Sequence, residues 1–408
     1  MELPQFIPVR QELAQDALTD VAGEVRRRLR EARLAERIKP GFRVAITAGS
    51  RGINNIAMIV GAIAGELRSL GAQPFIVPAM GSHGGATAEG QREVLAEYGI
   101  TEESMGCPVL SDMEPVYLGV TPSGVPAFMD RNAFYADAVI VAARVKPHTS
   151  FRAPIESGLC KMMAVGLGKQ RGAEAIHSFG LGPVIAEIAQ LTLATGKIAM
   201  GLAIVENTAE ETCRIEAVPP EQILEKDREL LLVAAGLLPR IPFDPLDVLI
   251  VDWMGKNFSG TGMDTNIIGL WRRIEGAERK PYFKRLVVLN LTPESGGNAV
   301  AIGLADFTTR KLFEQINFKK TYMNALTANV PQVAKIPIIL DSDREAIEVA
   351  LKSSEPQGEP RVVRIRNTLH LMEYWISPGL LKEAREVPGL QIAGPAEPLQ
   401  FDPSGNLL

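Results

Sequence analysis

Cysteine is scarce in this chain: Cys107, Cys160 and Cys213 are the only three among 408 residues, an odd number without a Cys-x-x-Cys pair. That argues against a disulfide framework, a zinc ribbon or an iron–sulfur cluster built from this chain alone. Long apolar runs are also lacking. The best, ADAVIVAA and DVLIV, fall far short of the ~20 residues of a membrane span. The opening MELPQFIPVRQELAQD has neither the basic flank nor the apolar stretch of a secretory signal. The expectation is a soluble cytoplasmic protein with reduced thiols and no membrane partner. Basic charge is not in excess: 43 Lys and Arg against 48 Asp and Glu leave a net charge of −5. A general nucleic-acid binder needs a basic face, so none is expected here. A small anionic ligand is compatible with that charge, because a local basic pocket can sit in an acidic protein.

The length exceeds one compact domain at ~100–200 residues each. Residues 11–37 carry apolar positions at helical spacing with a basic outer face. FRVAITA (42–48), PFIVPA (74–79) and ADAVIVAARV (136–145) read as strands without polar alternation. The helical patterns 53–71 and 86–99 fall among them, with Gly71 placed to end the first and Thr87 to cap the second. Strands of this kind, alternating with helices, predict a parallel sheet covered on both faces. PVIAEIAQLTLATG (183–196) reads as a further helix and KIAMGLAIVEN (197–207) as extended. LLPRIPFDPLD (237–247) reads as a linker. A second alternation follows it: DVLIVDW, a glycine-rich loop, a helix near 265–275, RLVVLNL and the helix REAIEVALKS. The tail reads as irregular. The fold class expected is α/β, two α/β domains with mainly parallel, helix-covered sheets and an active-site cleft between them. The boundaries expected are 1–240 for a cofactor-binding and catalytic domain and 241–408 for a domain closing the cleft.

Ligands of such sheets bind outside the carboxyl ends of the strands, so the loops there carry the functional reading. The first, GSRGINN, sets Arg51 between glycines at a helix start, which suits a phosphate or carboxylate. A tight turn with a surface arginine is the plain alternative. The second, MGSHGGATAEG, surrounds His83 with Gly81, Ser82, Gly84 and Gly85, which leave the imidazole unshielded and let a ligand approach the backbone. The third, KPHTSFRAPIESGLCKMMAVGLGKQRGAEAIH, holds His148, Lys161 between two glycine turns, and His177. Burial in this apolar context would favour the neutral, nucleophilic amine of Lys161; a helix lysine snorkelling to solvent is the alternative. No His-x-x-x-His, Gly-x-Ser-x-Gly, Gly-x-Gly-x-x-Gly or P-loop is present. His370, in the apolar run NTLHLMEYW, is assigned to structure.

The order Arg51, Gly-Ser-His with His83, Pro-His with His148, Lys161 and His177 resembles the nickel-dependent lactate racemase family. The resemblance covers residues 40–180. It extends more weakly to GKNFSGTGMDTNIIGLWRR (255–273), where Asp264 and Asn266 stand in a glycine-rich loop and Arg272 takes the place of a lysine. It implies a nickel-pincer nucleotide covalently attached to Lys161, with His177 as the protein ligand to nickel and Arg51, Gly81 and Gly84 at the cofactor. It implies His83 and His148 as the paired acid and base. Arg51 and Arg272 are expected to hold the substrate carboxylate, and Lys256 in the second glycine-rich loop is a further substrate candidate, with a surface lysine the plain alternative. The implied reaction racemises or epimerises a 2-hydroxy acid through proton-coupled hydride transfer, and cofactor-biosynthesis proteins are implied as partners. The stretch between His148 and Lys161 is a few residues longer than in lactate racemase, and Ala48 stands where the family has an aspartate. These departures bear on the substrate, which is expected to be larger or more polar than lactate. A nucleotide-dependent oxidoreductase, a metal hydrolase using the three histidines and a non-catalytic cofactor-binding protein are the competing classes.

Overall fold

The computed structural model describes residues 2–13, 16–50 and 52–408, apart from the side chains of residues 177, 178 and 181. The chain divides into two compact units, Ala14–Leu238 and Pro239–Leu408 joined by Met1–Leu13. The first residues thus belong with the C-terminal unit, not with the N-terminal domain expected to begin at residue 1. The reason is strand β1 (Ile7–Gln11), which pairs antiparallel with two strands of that unit.

Ala14–Leu238 contains β2 (Arg43–Ala48), β3 (Gln73–Pro78), β4 (Pro115–Val120), β5 (Pro126–Asp130), β6 (Ala138–Arg144), β7 (Ile198–Glu206) and β8 (Thr212–Val218). Five of them form a sheet in the order β3-β2-β6-β7-β8. The first four run parallel and β8 closes one edge antiparallel. β4 and β5 make a separate antiparallel pair. Alternate residues of each strand enter different cores. Val44, Ile46, Ile140 and Leu202 pack with Ile59, Ile63 and Leu67 of the helix Ile56–Ser69. Ala45, Val139 and Val141 pack on the other face with Leu159, Met163, Ile185 and Ile188. Both faces are dry, so the strands show no polar alternation. Each fully buried Ile or Leu contributes about 1.5–3 kcal/mol relative to exposure. In the expected helical stretch 11–37, the helix itself is Val21–Glu31, capped by the Asp20 carboxylate, followed by a short 3-10 turn, Leu34–Glu36.

The order of this sheet positions the site. From β2 the chain goes outward to β3, and later returns to β6 on the other side of β2. The loops after β2 and β6 therefore diverge above neighbouring strands, which opens a crevice at their carboxyl ends.

The C-terminal unit contains β9 (Leu246–Met254), β10 (Phe283–Leu291), β11 (Phe307–Thr309), β12 (Ile338–Leu340), β13 (Val362–Ile365), β14 (Glu373–Ile376) and β15 (Leu390–Ile392). With β1 they form one sheet, β12-β11-β10-β9-β13-β14-β1-β15. The stretch from β12 to β13 is parallel and the remainder antiparallel. The helix expected near 265–275 is one turn, Thr265–Ile268, and a 3-10 turn, Leu270–Arg272, interrupted where Gly269 takes a φ of 85°. His370 lies exposed between β13 and β14 and not on a strand. Among the described residues no helix is long and apolar enough to cross a membrane.

Candidate functional site

The loop after β3 carries His83. Gly81 and Gly84 take φ values of 61° and 64°, which L side chains adopt rarely. At Gly84 a Cβ would also stand 2.6 Å from the backbone nitrogen of Gln91. The loop folds down onto the start of the helix Ala88–Glu97, which Thr87 caps by accepting the N–H of Gly90 at 3.0 Å. This leaves His83 exposed. Its Nδ1 lies 2.5 Å from the Ser50 hydroxyl, which follows β2, so the first two loops meet at this imidazole. The hydroxyl can donate to Nδ1 or accept from it, so either tautomer of His83 is supported. Arg51 itself lies outside the described residues.

The loop after β6 folds around Glu156. His148 N–H donates to Glu156 Oε2 at 2.6 Å and Ala153 N–H to Oε1 at 3.1 Å. The half-buried imidazole of His148 stacks on Phe151, with ring centres 4.4 Å apart. Its Nδ1 accepts the N–H of Ser150 at 3.0 Å. A backbone N–H only donates, so the neutral ring carries its proton on Nε2. Burial pushes the Glu156 carboxyl above its usual range, opposed by the N–H groups of His148 and Ala153 and by the charges of Arg152 and Lys161. One carboxylate thus holds the His148 backbone and feels the Lys161 ammonium.

Lys161 ends the short helical turn Leu159–Lys161 and is half-buried. Asp227, from the helix Ile223–Gly236, receives the N–H groups of Leu159 at 3.1 Å and Cys160 at 2.7 Å. Burial raises the Asp227 carboxyl, and burial also raises the Cys160 thiol, far beyond the range in which a thiolate forms. After Lys161 a π-turn, Met162–Gly166, passes beneath the His83 loop, where Gly81 N–H donates to Gly166 O at 3.3 Å. The next helix, Lys169–Phe179, contains His177, whose side chain lies outside the described residues.

The chain thus brings the loops of His83 and His148 together with the Lys161 segment at one sheet edge. The groups that hold them carry no motif and are absent from the sequence reading. They are Glu156, Asp227 and Glu206. Glu206, at the end of β7, receives Asn54 N–H at 2.7 Å and pairs with Arg144, tying down the loop that follows β2. Each is a single acid in an ordinary context; Asp227 and Glu206 have their partners far away along the chain, and Glu156 has its own within the same loop.

In the C-terminal unit, Lys256 Nζ donates to Gly260 O at 2.5 Å and to Asn324 Oδ1 at 2.8 Å. Asp264 accepts from Asn266 N–H and from its side-chain amide, both at 2.8 Å. The Arg272 guanidinium makes a two-pronged pair with Asp306, at 2.9 and 2.8 Å, between the rings of Trp271 and Phe283. A substrate carboxylate at Arg272 would have to take the place of Asp306.

Residues 7–181 match the model of the lactate racemase N-terminal domain. That segment of the chain is similar to the lactate racemase N-terminal domain. Among solved structures, the chain is similar to the lactate racemase apoprotein of Thermoanaerobacterium thermosaccharolyticum, at 14% identity and a TM-score of 0.51, over 86% of this chain and 91% of that one. It is also similar to a protein from Thermotoga maritima, at 14% identity and a TM-score of 0.52, over 79% and 84% of the two chains. At this identity the structural likeness speaks for the fold. No curated protein sequence matches. The match ends at the start of the helix Leu181–Ala194, so His83, His148, Lys161 and His177 all lie within the matched residues.

Proposed function

We propose that this protein racemises or epimerises a 2-hydroxy acid, using a nickel-pincer nucleotide tethered to Lys161. What supports the reading is that the loops bearing His83 and His148 leave the carboxyl ends of β3 and β6, on either side of β2, with the segment after Lys161 bonded to the His83 loop. Among the described residues no group of three or more His, Cys, Asp or Glu side chains is placed to hold a metal ion. If the group is bound, the half-buried amine of Lys161 would carry it through a thioamide and His177 is proposed to hold the metal. The residues fit the group. When bound, it supplies an acceptor, and then a donor, for the C2 hydrogen with its electron pair.

The protein's own residues handle the proton and the position of the substrate. β3 and β6 flank β2, so His83 and His148 rise from strands about 10 Å apart, two strand spacings. His83 can present a bare Nε2 when its Nδ1–H donates to Ser50. His83 then takes the hydroxyl proton from one enantiomer as the C2–H bond breaks and C2=O forms, giving a planar 2-keto acid. His148, charged as the imidazolium with its Ser150 contact released, returns a proton to oxygen as hydrogen rejoins C2 on the opposite face, and is left neutral. A proton given and taken by imidazole near neutral pH suits both directions. Arg51 is proposed for the substrate carboxylate; Arg272 and Lys256 serve the substrate only if they exchange their present partners. The tether is made by other proteins, which are the proposed partners.

The reading is tested by screening 2-hydroxy acids and aldonates for loss of optical rotation with cofactor-loaded protein. A substrate deuterated at C2 is expected to keep its label in the inverted product. His83→Ala and His148→Ala are expected to abolish inversion while keeping the Lys161 adduct. Wash-out of the C2 label into water, or inversion by Lys161→Ala, would overturn it.

A further inference from the structure

Lys169 opens the helix that follows the Lys161 turn, and its side chain is wholly buried. Its backbone takes a φ of 54°, a left-handed conformation that lysine rarely adopts. Such strain persists where the surroundings demand that residue's placement. The ammonium points away from solvent and reaches Pro78 O at 2.5 Å, Gln91 Oε1 at 3.1 Å and Asp130 Oδ2 at 3.0 Å. Pro78 is the last residue of β3, and Asp130 is the last of β5, where its other oxygen accepts Ala133 N–H at 2.8 Å. Gln91, also wholly buried, donates through Nε2 to Gly81 O at 2.9 Å and His83 O at 3.3 Å.

Chemistry orients this chain of contacts. An ammonium only donates, so the Gln91 oxygen must face Lys169. Its amide nitrogen is then forced toward the carbonyls of the His83 loop. Buried charge pairs are costly to assemble and are kept where they specify one arrangement. The arrangement specified here joins the segment that carries Lys161 to the loop that carries His83.

We propose that Lys169 is a positioning residue for His83, acting through the amide of Gln91. The proposal rests on the reading of His83 as an acid–base group. Lys169 touches neither substrate nor cofactor in this role. It sets the height and tilt of the loop, and so the approach of the His83 ring to Ser50 and to the substrate oxygen.

The direct test uses Gln91→Glu. This change keeps an acceptor for Lys169 and the side-chain shape, but puts a carboxylate against two carbonyls that need a donor. The readout is the ring 15N spectrum of the cofactor-free protein, where four histidines keep assignment simple. The His83 ring signals are expected to shift as the Ser50 contact is lost, with those of His148 and His370 unmoved. In loaded enzyme kcat is expected to fall about 10- to 100-fold with KM nearly unchanged. Lys169→Met combined with Asp130→Asn, which removes both charges together, is expected to shift the same His83 signals. Unchanged His83 signals in either folded variant would overturn the proposal. So would loss of folding in Gln91→Glu, since that would make Gln91 a core residue only. Full activity of His83→Ala would instead overturn the acid–base reading and leave the linkage to be judged on the spectra.

Discussion

Glu156, Glu206 and Asp227 act alike from three different elements. Each is a buried carboxylate that receives backbone N–H groups from a segment bearing a candidate site residue. A carboxylate can satisfy two such donors at once, whereas an amide offers one oxygen. Glu156→Gln is therefore expected to turn its NH2 toward either His148 N–H or Ala153 N–H and loosen the loop. The expected outcome is a fall of about tenfold or more in kcat, with the Lys161 adduct retained, measured by steady-state rates and intact mass. Burial lifts all three carboxyls above their usual range. The folded form of each then binds a proton more tightly than the unfolded chain. Its contribution to stability falls as pH rises through the window between the usual and the raised value, and grows as pH drops through it. Asp227→Asn removes one such titration. Urea unfolding from about pH 7 down to about pH 4.5 is expected to show the wild type gaining on the variant.

At the scale of elements, the His83 loop shows why backbone geometry matters more than the imidazole's immediate neighbours. Gly84→Ala would place a methyl in a left-handed conformation and within 2.6 Å of the Gln91 nitrogen. The expected outcome is a displaced loop, with inversion lost and lysine loading intact. Thr87→Ala, which removes the adjoining helix cap, is expected to cost about 1 kcal/mol of stability with the loop largely in place. Much of this region was legible in the sequence. β2, β3, β6 and the helices between them follow from apolar runs and helical spacing, and Gly71 and Thr87 sit where a helix end and start require them. The loops bearing His83, His148 and Lys161 follow from the rule that ligands sit at carboxyl ends. The elements that sequence reading missed have weak local signals. β1 is a short segment whose partners, β14 and β15, lie more than 360 residues away. The single turn at 265–268 reads as a longer helix because Gly269 stops it through its backbone and not through any change in apolar spacing. Lys169 reads as one more surface lysine, since the chain gives no hint of Asp130 and Gln91 converging on it.

At the scale of the whole molecule, the two units share a device: the parallel strands begin beside a central strand, spread to one side and resume on the other, with β2 central in one and β9 in the other. All three tryptophans, Trp253, Trp271 and Trp375, lie in the C-terminal unit, so tryptophan fluorescence reports on it alone. Removing residues 1–11 takes β1 from between β14 and β15. The expected outcome is a lower urea midpoint by tryptophan fluorescence, with the family domain's histidine spectra retained. Lys161 is proposed to carry the cofactor at the carboxyl ends of the strands whose loops bear His83 and His148. The most direct measurement of this is peptide mass mapping of protein produced together with a nickel-pincer nucleotide pathway. One adduct is expected, on Lys161, absent from Lys161→Arg. An adduct on another residue, or full inversion activity in an unmodified chain, would contradict it.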